Sequence, residues 1–477
     1  MAERMFGTNG VRGVVNEYLT SELALKMGKA IGAVLRGKVA IATDTRVSGE
    51  MIRTAVSAGI MAVGFDVLDL GTVPTPALQY YIKTHTDVAG GVMITASHNP
   101  PQFNGIKCVL DDGTEASRVE ESRIEELYAD DIPSVAWNKV GKEEKITGAG
   151  EAYVDHVISL VDSEAIRNAG LTVCLDCSNG AAYQTSPMLL EKLNVRAITI
   201  NCNSQGEFPG HPSEPTEDNL KDLKYMTKAT KSDLGIAHDG DADRCVFVSS
   251  DGKYVSGDKS LALLAKYILS KEKGLVVTPV SSSSLVEEVV NANGGKVVYT
   301  AVGSPIVARK MMENGAVFGG EENGGLIFPD QQYCRDGAMS IAMMLECIVM
   351  SESLASQVAA LPVYYTEKRK TDCPEEMKKP LLEHIEQIVT DVKAENLDGL
   401  KFNYSDGWVL VRPSGTEPIF RVYSESKNRD VAISRADSFE KLAWDFVDPE
   451  GLHLVKKALQ KKKRTKKAPV NPQQSTL

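Results

Sequence analysis

Val39-Ala40-Ile41-Ala42-Thr43, followed by Asp44-Thr45-Arg46-Val47-Ser48-Gly49, decides the class of fold. A short apolar run bounded by turn formers predicts a buried strand, residues 44–49 a loop, Glu50 to Gly64 a helix, and Asp66 to Leu70 a second strand. Strand, turn, helix and strand in that order make the unit of a parallel sheet. The pattern returns twice. Leu171 to Leu175, the turn Ser178-Asn179-Gly180, the helical stretch Ser186 to Leu193 and the strand Arg196 to Ile200 copy it, as do Leu275 to Pro279, Ser281 to Ser284, Leu285 to Asn293 and Lys296 to Tyr299. Residues from about Tyr364 differ: a helix over Glu375 to Glu395, strands over Gly407 to Val411 and Phe420 to Ser424, and a helix over Asp430 to Phe446 read as α+β.

The fold predicted is therefore α/β: three tandem α/β/α domains with mixed sheets and a smaller C-terminal α+β domain, four domains around one cleft. The boundaries fall in polar or Gly-rich stretches, giving domains over 1–150, 151–252, 253–363 and 364–455, with a basic tail over 456–477. The length of 477 residues suits three or four domains of ordinary size.

Composition narrows the function. Hydrophobic residues make up 43% and charged residues 25%, which places the chain among folded soluble proteins. The most apolar stretch, Ile341 to Met350, is broken by Glu346 and too short to span a bilayer, so no membrane partner is expected. Met1-Ala2-Glu3-Arg4 leads into no apolar region, so a cytoplasmic protein without a signal peptide is expected. Eight Cys are too sparse for a disulfide scaffold, and the pair Cys174 and Cys177 lacks the further ligands of a zinc site. The net charge of −11 conceals an asymmetry: eight of the 53 basic residues lie between Lys456 and Lys467, leaving 45 against 64 acids in residues 1–455, a net −19. So acidic a body argues against a nucleic-acid partner, and the tail reads as a solvated extension. Monomer and homodimer both stay open.

Four polar loops carry the chemistry. Val88 to Thr95 reads as a strand that delivers Ser97 on Thr95-Ala96-Ser97-His98-Asn99-Pro100-Pro101, where two prolines stop a helix from starting and leave Ser97 on an exposed loop. Alone, Ser97 is an ordinary turn serine. Asp239-Gly240-Asp241-Ala242-Asp243-Arg244 places carboxylates at i, i+2 and i+4 with small residues between, a set of hard oxygens suited to Mg²⁺. An EF-hand would need Gly at Arg244 and Glu at Ser250. Gly319-Gly320-Glu321-Glu322-Asn323-Gly324-Gly325 offers Glu321 and Asn323 to the vicinal hydroxyls of a sugar. Arg412-Pro413-Ser414-Gly415-Thr416-Glu417-Pro418, with Arg421 beyond it, gathers guanidinium, hydroxyl and backbone N–H groups as a phosphate dianion requires. Gly32 to Lys38 matches the spacing of a P-loop, but Val39 stands where Ser or Thr is needed and a strand follows.

With these four motifs in this order, residues 1 to about 450 resemble the alpha-D-phosphohexomutase superfamily. The resemblance implies that Ser97 carries a phosphoryl group and that Asp239, Asp241 and Asp243 hold Mg²⁺ together with the Ser97 phosphoryl. It implies that Glu321 and Asn323 read the sugar, and that Arg412, Ser414, Gly415, Thr416 and Arg421 grip the phosphate that does not transfer. Two transfers through a sugar 1,6-bisphosphate, also the activator, would interconvert hexose 6-phosphate and 1-phosphate. Arg244, Lys107 and Arg12, the last in Phe6-Gly7-Thr8-Asn9-Gly10-Val11-Arg12-Gly13, would face the transferring group, and His98 and Lys107 are candidates for moving the hydroxyl proton. Phe6 to Gly13 looks most like phosphoglucosamine mutases, which makes glucosamine phosphate the expected substrate. The sugar loop departs from the bacterial form of that group, which has Ser and His where Asn323 and Gly325 stand here. Phosphomannomutase or phosphoglucomutase activity is the alternative. A Mg²⁺-dependent sugar phosphatase is a remote one, because it leaves the Ser97 and Arg412 loops unexplained.

Overall fold

The computed structural model describes residues 4–7, 9–130, 132–415 and 417–450. Two units make up the chain, one running to Val363 and the other starting at Tyr364.

The first unit contains three mixed sheets built on one plan. In the first, Lys38–Thr43 lies between Val67–Thr72 and Val88–Ile94, parallel to both, and Phe103–Leu110 returns antiparallel along Val88–Ile94. In the second, Thr172–Asp176 runs parallel to Arg196–Ile200 and Leu234–His238, and Cys245–Ser249 returns along the latter. In the third, Leu275–Pro279 runs parallel to Lys296–Thr300 and Phe318–Gly320, and Leu326–Phe328 returns. The first strand of each trio is mostly apolar and almost wholly buried, as a central strand covered on both faces must be.

Helices form where the apolar period changes from two to about 3.6. Ser21–Leu35 and Gly49–Ala62 cross so closely that a Cβ on Gly28 would stand 2.3 Å from the Val56 carbonyl and one on Gly59 2.1 Å from that of Leu25. Their apolar faces join Val39, Ile41, Val92, Ile94 and Ile106 in one core. The apolar stretch ending at Met350 is the helix Gly337–Met350, capped by Asp336 and buried over most of its length. Among the described residues no helix is long and apolar enough to cross a membrane.

The second unit is an antiparallel sheet in the order Tyr365–Asp372, Ile419–Ser426, Gly407–Pro413, Leu400–Tyr404, Ala394–Glu395. Helices Glu375–Ile388 and Arg429–Val447 cover the face formed by Leu400, Phe402, Val409, Val411, Phe420 and Val422. The predicted helix from Glu375 to Glu395 ends early, because the β-branched Val389 and Thr390 favour extended backbone and Ala394–Glu395 joins the sheet edge. The basic tail lies outside the described residues.

Candidate active site

Sheet topology places three of the four polar loops. In each sheet of the first unit the third parallel strand ends in a hairpin, and those hairpins hold residues 95–102, 239–244 and 321–325. All three lie beyond the carboxyl ends of parallel strands, where open α/β sheets bind ligands. The return strands add to them: Lys107 comes from Phe103–Leu110, and Arg335 from the strand Gln332–Arg335 that pairs with Leu326–Phe328.

Ser97 itself is buried, which corrects its expected exposure, although Pro100, Pro101 and Gln102 of the same loop are exposed. It is covered because the Asp239 loop packs directly on it, and glycine permits the approach: a Cβ on Gly240 would stand 2.5 Å from the Ser97 carbonyl oxygen. The Ser97 hydroxyl donates to Asp239 Oδ2 at 2.8 Å and lies 3.4 Å from His98 Nδ1. Arg12 reaches the same loop, donating from Nη1 to the Ala96 carbonyl at 3.2 Å and to Asn99 Oδ1 at 3.1 Å.

Asp239, Asp241 and Asp243 are all buried, with ligand oxygens within 4.8 Å of one another. Asp241 Oδ2 accepts from Lys107 Nζ and from Thr75 Oγ1, both at 2.7 Å. Asp243 Oδ2 accepts from Arg335 Nη2, and Lys107 Nζ lies 3.5 Å away. Arg244 Nε stands 3.7 Å from Asp239 Oδ2 and 3.8 Å from Asp243 Oδ1. One oxygen each of Asp241 and Asp243, Oδ1, is buried with no hydrogen-bond partner. An orphaned carboxylate oxygen is costly unless something occupies it, so two such atoms beside Asp239 fit a hard divalent cation.

Electrostatics agree. Burial, with the charges of Asp243 and Asp241 close by, pushes the Asp239 carboxyl up to about 8. Burial would raise Asp241 as well, but Lys107 and the Thr75 hydroxyl hold it far below the usual carboxylate range. Burial alone would lower Lys107, yet Asp241 and Asp243 raise it, so its ammonium stays charged. His98 falls to about 2 because Arg244 repels a second positive charge, burial adds to this, and Arg12 and Arg335 lie near. Its imidazole is therefore neutral. The acids Asp241, Asp243 and Glu321 are met by the cations Lys107, Arg244 and Arg335.

Sequence reasoning missed Arg335, which ties the sugar loop to the metal loop by donating to Glu321 Oε2 at 3.0 Å as well as to Asp243. Nothing in its surroundings marks it beyond its place before the helix cap Asp336. Thr75 was also missed, although Pro74 and Pro76 around it signal the helix start that presents it. Glu321 is buried behind Arg335, whereas Asn323 is half-buried and accepts the Gly325 N–H at 3.0 Å. Gly325 is required here, since a Cβ would stand 2.2 Å from Arg335 Cδ. Of the thiols, only Cys202 is even partly exposed, and Cys174 meets Thr230 and Ser232 rather than Cys177.

The fourth loop belongs to the second unit. Arg412 and Arg421 face each other across the strand pair, Arg412 bound to Asp398 at 3.1 Å and Arg421 to Glu417 at 3.0 Å. Directly opposed like charges destabilise a sheet unless an anion joins them. The Ser414 hydroxyl accepts the Glu417 N–H at 3.2 Å, and Lys378 donates to the Ser414 carbonyl at 2.7 Å. Among the described residues, nothing beyond Gly415's own chain neighbours lies within 4 Å of where its Cβ would be. Thr416 lies outside the described residues.

Family models for phosphoglucomutase/phosphomannomutase match four segments: alpha/beta/alpha domain I at residues 3–133, domain II at 151–252, domain III at 256–365, and the C-terminal domain at 370–442. A phosphoglucomutase/phosphomannomutase of Thermococcus kodakarensis is 41% identical over 443 residues, 90% of this chain and 96% of its own. A phosphoglucosamine/phosphogalactosamine mutase of Sulfurisphaera tokodaii is 41% identical over 455 residues, 92% of this chain and 99% of its own. A crystal structure of a phosphoglucomutase/phosphomannomutase family protein from Burkholderia thailandensis superposes with a TM-score of 0.84 at 26% identity, covering 94% of this chain and 99% of that one.

Proposed function

Because the chain belongs to the phosphoglucomutase/phosphomannomutase family of alpha-D-phosphohexomutases, we propose that it interconverts hexose 6-phosphate and 1-phosphate through a phosphoserine at Ser97, with glucosamine phosphate as its preferred sugar. The observation that carries the reading is the Ser97 hydroxyl 2.8 Å from Asp239, inside a cluster of three buried carboxylates with two unpartnered oxygens. Asp239, Asp241 and Asp243, with an oxygen on Ser97, would hold Mg²⁺, which supplies charge neutralisation at the phosphoryl oxygens when bound.

The chain's own residues do the rest. Lys107 and Arg335 keep the Oδ2 atoms of Asp241 and Asp243 occupied, so that their Oδ1 atoms stay aimed at the ligand. Arg244 and Arg12 offset charge on the transferring group, which is most of what such a transition state asks of a protein. In the first transfer the Ser97 Oγ–P bond breaks, a sugar hydroxyl oxygen forms the new bond to phosphorus, and the proton that hydroxyl loses ends on Ser97 Oγ; Arg244 beside His98 opposes a charged imidazole and so argues against His98 as the base that holds it. The 1,6-bisphosphate turns over, and Ser97 takes the phosphoryl group from the other end. Glu321 and Asn323 read the sugar hydroxyls, while Arg412, Ser414, Gly415, Thr416 and Arg421 hold the phosphate that stays. The domain boundaries at 150, 252, 363 and 455 and a cytoplasmic location belong to this proposal.

Breadth over glucose and mannose phosphates is the second reading, favoured by the Thermococcus relative, which is named a phosphoglucomutase/phosphomannomutase. ³¹P NMR with Mg²⁺, a trace of sugar bisphosphate and glucosamine, glucose or mannose 6-phosphate separates the readings. Conversion to 1-phosphates, fastest for glucosamine and lowered about 10⁴-fold or more in Ser97→Ala, is the expected result. Free inorganic phosphate, or full activity in Ser97→Ala, would sink the mutase and restore a phosphatase.

A further inference from the structure

One buried guanidinium outside the reacting cluster has every N–H committed. Arg46, whose side chain has no exposure, donates from Nε to Asp44 Oδ2 at 3.0 Å. Its Nη1 donates to the carbonyls of Pro100 at 2.7 Å and Phe103 at 2.9 Å, and its Nη2 to those of Ser97 at 2.8 Å and Asn99 at 2.6 Å. An arginine fork has five N–H donors, so this one is saturated; three of its acceptors belong to the loop that carries Ser97 and a fourth, Phe103, opens the strand that follows it. The guanidinium carbon lies over the Phe208 ring, 5.0 Å from its centroid.

A second path leads from the same residue to the serine. Asp44 Oδ1 accepts the Arg46 N–H at 2.9 Å, Asp44 Oδ2 accepts from Thr95 Oγ1 at 2.6 Å, and Thr95 Oγ1 accepts the Ser97 N–H at 2.8 Å. Both main-chain groups of Ser97 are thus held by one buried pair. Ser97 needs this, because its φ of 51° lies in the left-handed region that a residue with a Cβ rarely adopts. Four carbonyls converging on one point also repel one another unless a rigid donor stands between them. Without the fork the loop would open and Ser97 would relax to negative φ, turning its hydroxyl away from Asp239.

We propose that Arg46 is a positioning residue of the phosphoryl transfer, setting the aim of Ser97 Oγ through the loop carbonyls and the Asp44–Thr95 relay. The inference rests on Ser97 being the nucleophile. Lysine cannot replace Arg46, since three donors on a single nitrogen do not reach four separated carbonyls.

The test uses the full chain with Mg²⁺ and glucose 1,6-bisphosphate, in wild type, Arg46→Lys and Thr95→Val. Circular dichroism follows folding, intact-mass spectrometry the rate at which Ser97 acquires a phosphoryl group, and steady-state assays kcat and KM. In folded Arg46→Lys, kcat and the Ser97 phosphorylation rate fall about 100-fold, as a misaimed nucleophile predicts, while KM stays within about threefold. Thr95→Val, which loses one hydroxyl, falls about 10-fold in the same two rates. A folded variant with wild-type kcat, or one whose loss lies wholly in KM, overturns the proposal. Should Arg46→Lys fail to fold, Thr95→Val decides by the same criteria. A wild-type chain that never acquires a phosphoryl group at Ser97 fells the nucleophile reading beneath, an outcome read without either variant.

Discussion

The Asp239 loop and the Arg412 loop are both charged hairpin turns, yet they are built in opposite ways. In the first, Gly240 is wedged against the Ser97 carbonyl, Ala242 is held at a φ of 57°, and Lys107, Arg335 and Thr75 occupy named carboxylate oxygens in a fully buried setting. In the second, Gly415 has open space around it among the described residues, the Arg421 side chain keeps 30% exposure, and its acidic partner Glu417 is more exposed still. Buried charge must be matched atom by atom, because each unmatched group costs its full desolvation, and matching leaves the dipoles already aimed when the phosphoryl group transfers. Charge on an open turn needs little matching.

The largest effect expected from this contrast is on stability. Arg335→Met leaves Glu321 and Asp243 buried without their shared partner, and should cost about 3–5 kcal/mol, read from the urea midpoint; a loss below about 1 kcal/mol would erase the distinction between the loops. Arg421→Ala should leave the midpoint nearly unchanged but raise KM for the sugar phosphate, by about 10- to 100-fold for one charge-assisted contact, with kcat altered less. A fall in kcat alone would move Arg421 into the chemistry. A pair of alanines sharpens the point: Gly240→Ala forces a Cβ against backbone and should cost about 1–3 kcal/mol, whereas Gly415→Ala should fall within about 1 kcal/mol of wild type. Equal melting shifts in the two would contradict the packing described.

The smallest effect concerns the rim of the rigid region. His211 Nδ1 meets the Pro212 carbonyl at 2.7 Å and Nε2 meets Asp176 at 3.1 Å, so both ring nitrogens face acceptors. Burial opposes the charge, but Asp176 and that carbonyl hold His211 above its ordinary value. A raised folded pKa stabilises fully below the unfolded value of about 6.5, and the contribution disappears as pH rises through the folded value. The melting temperature of His211→Gln should therefore trail wild type at about pH 6 and draw level by about pH 9; a gap independent of pH would show that His211 acts by packing alone.

Much of this was legible before any coordinates. Strand runs such as Val39 to Thr43 and the acids at i, i+2 and i+4 are local patterns, and local patterns are what a sequence displays. Arg335 and Thr75 were invisible because their partners lie far along the chain, 92 residues from Arg335 to Asp243 and 166 from Thr75 to Asp241. The burial of Ser97 was missed for the same reason: the two prolines correctly marked a loop, but what covers that loop comes from another sheet.

Residue order by itself determined the three repeated α/β units, the smaller α+β unit and the four polar loops, because side-chain periodicity and turn chemistry act over a few residues. Only the tertiary structure decided that equivalent hairpins of three sheets meet, that one oxygen of Asp241 and of Asp243 is spoken for while the other is left bare, and that Arg46 closes on the Ser97 loop. Those outcomes depend on the packing of distant segments, where close approach at a glycine and the cost of an unmatched buried charge select the arrangement.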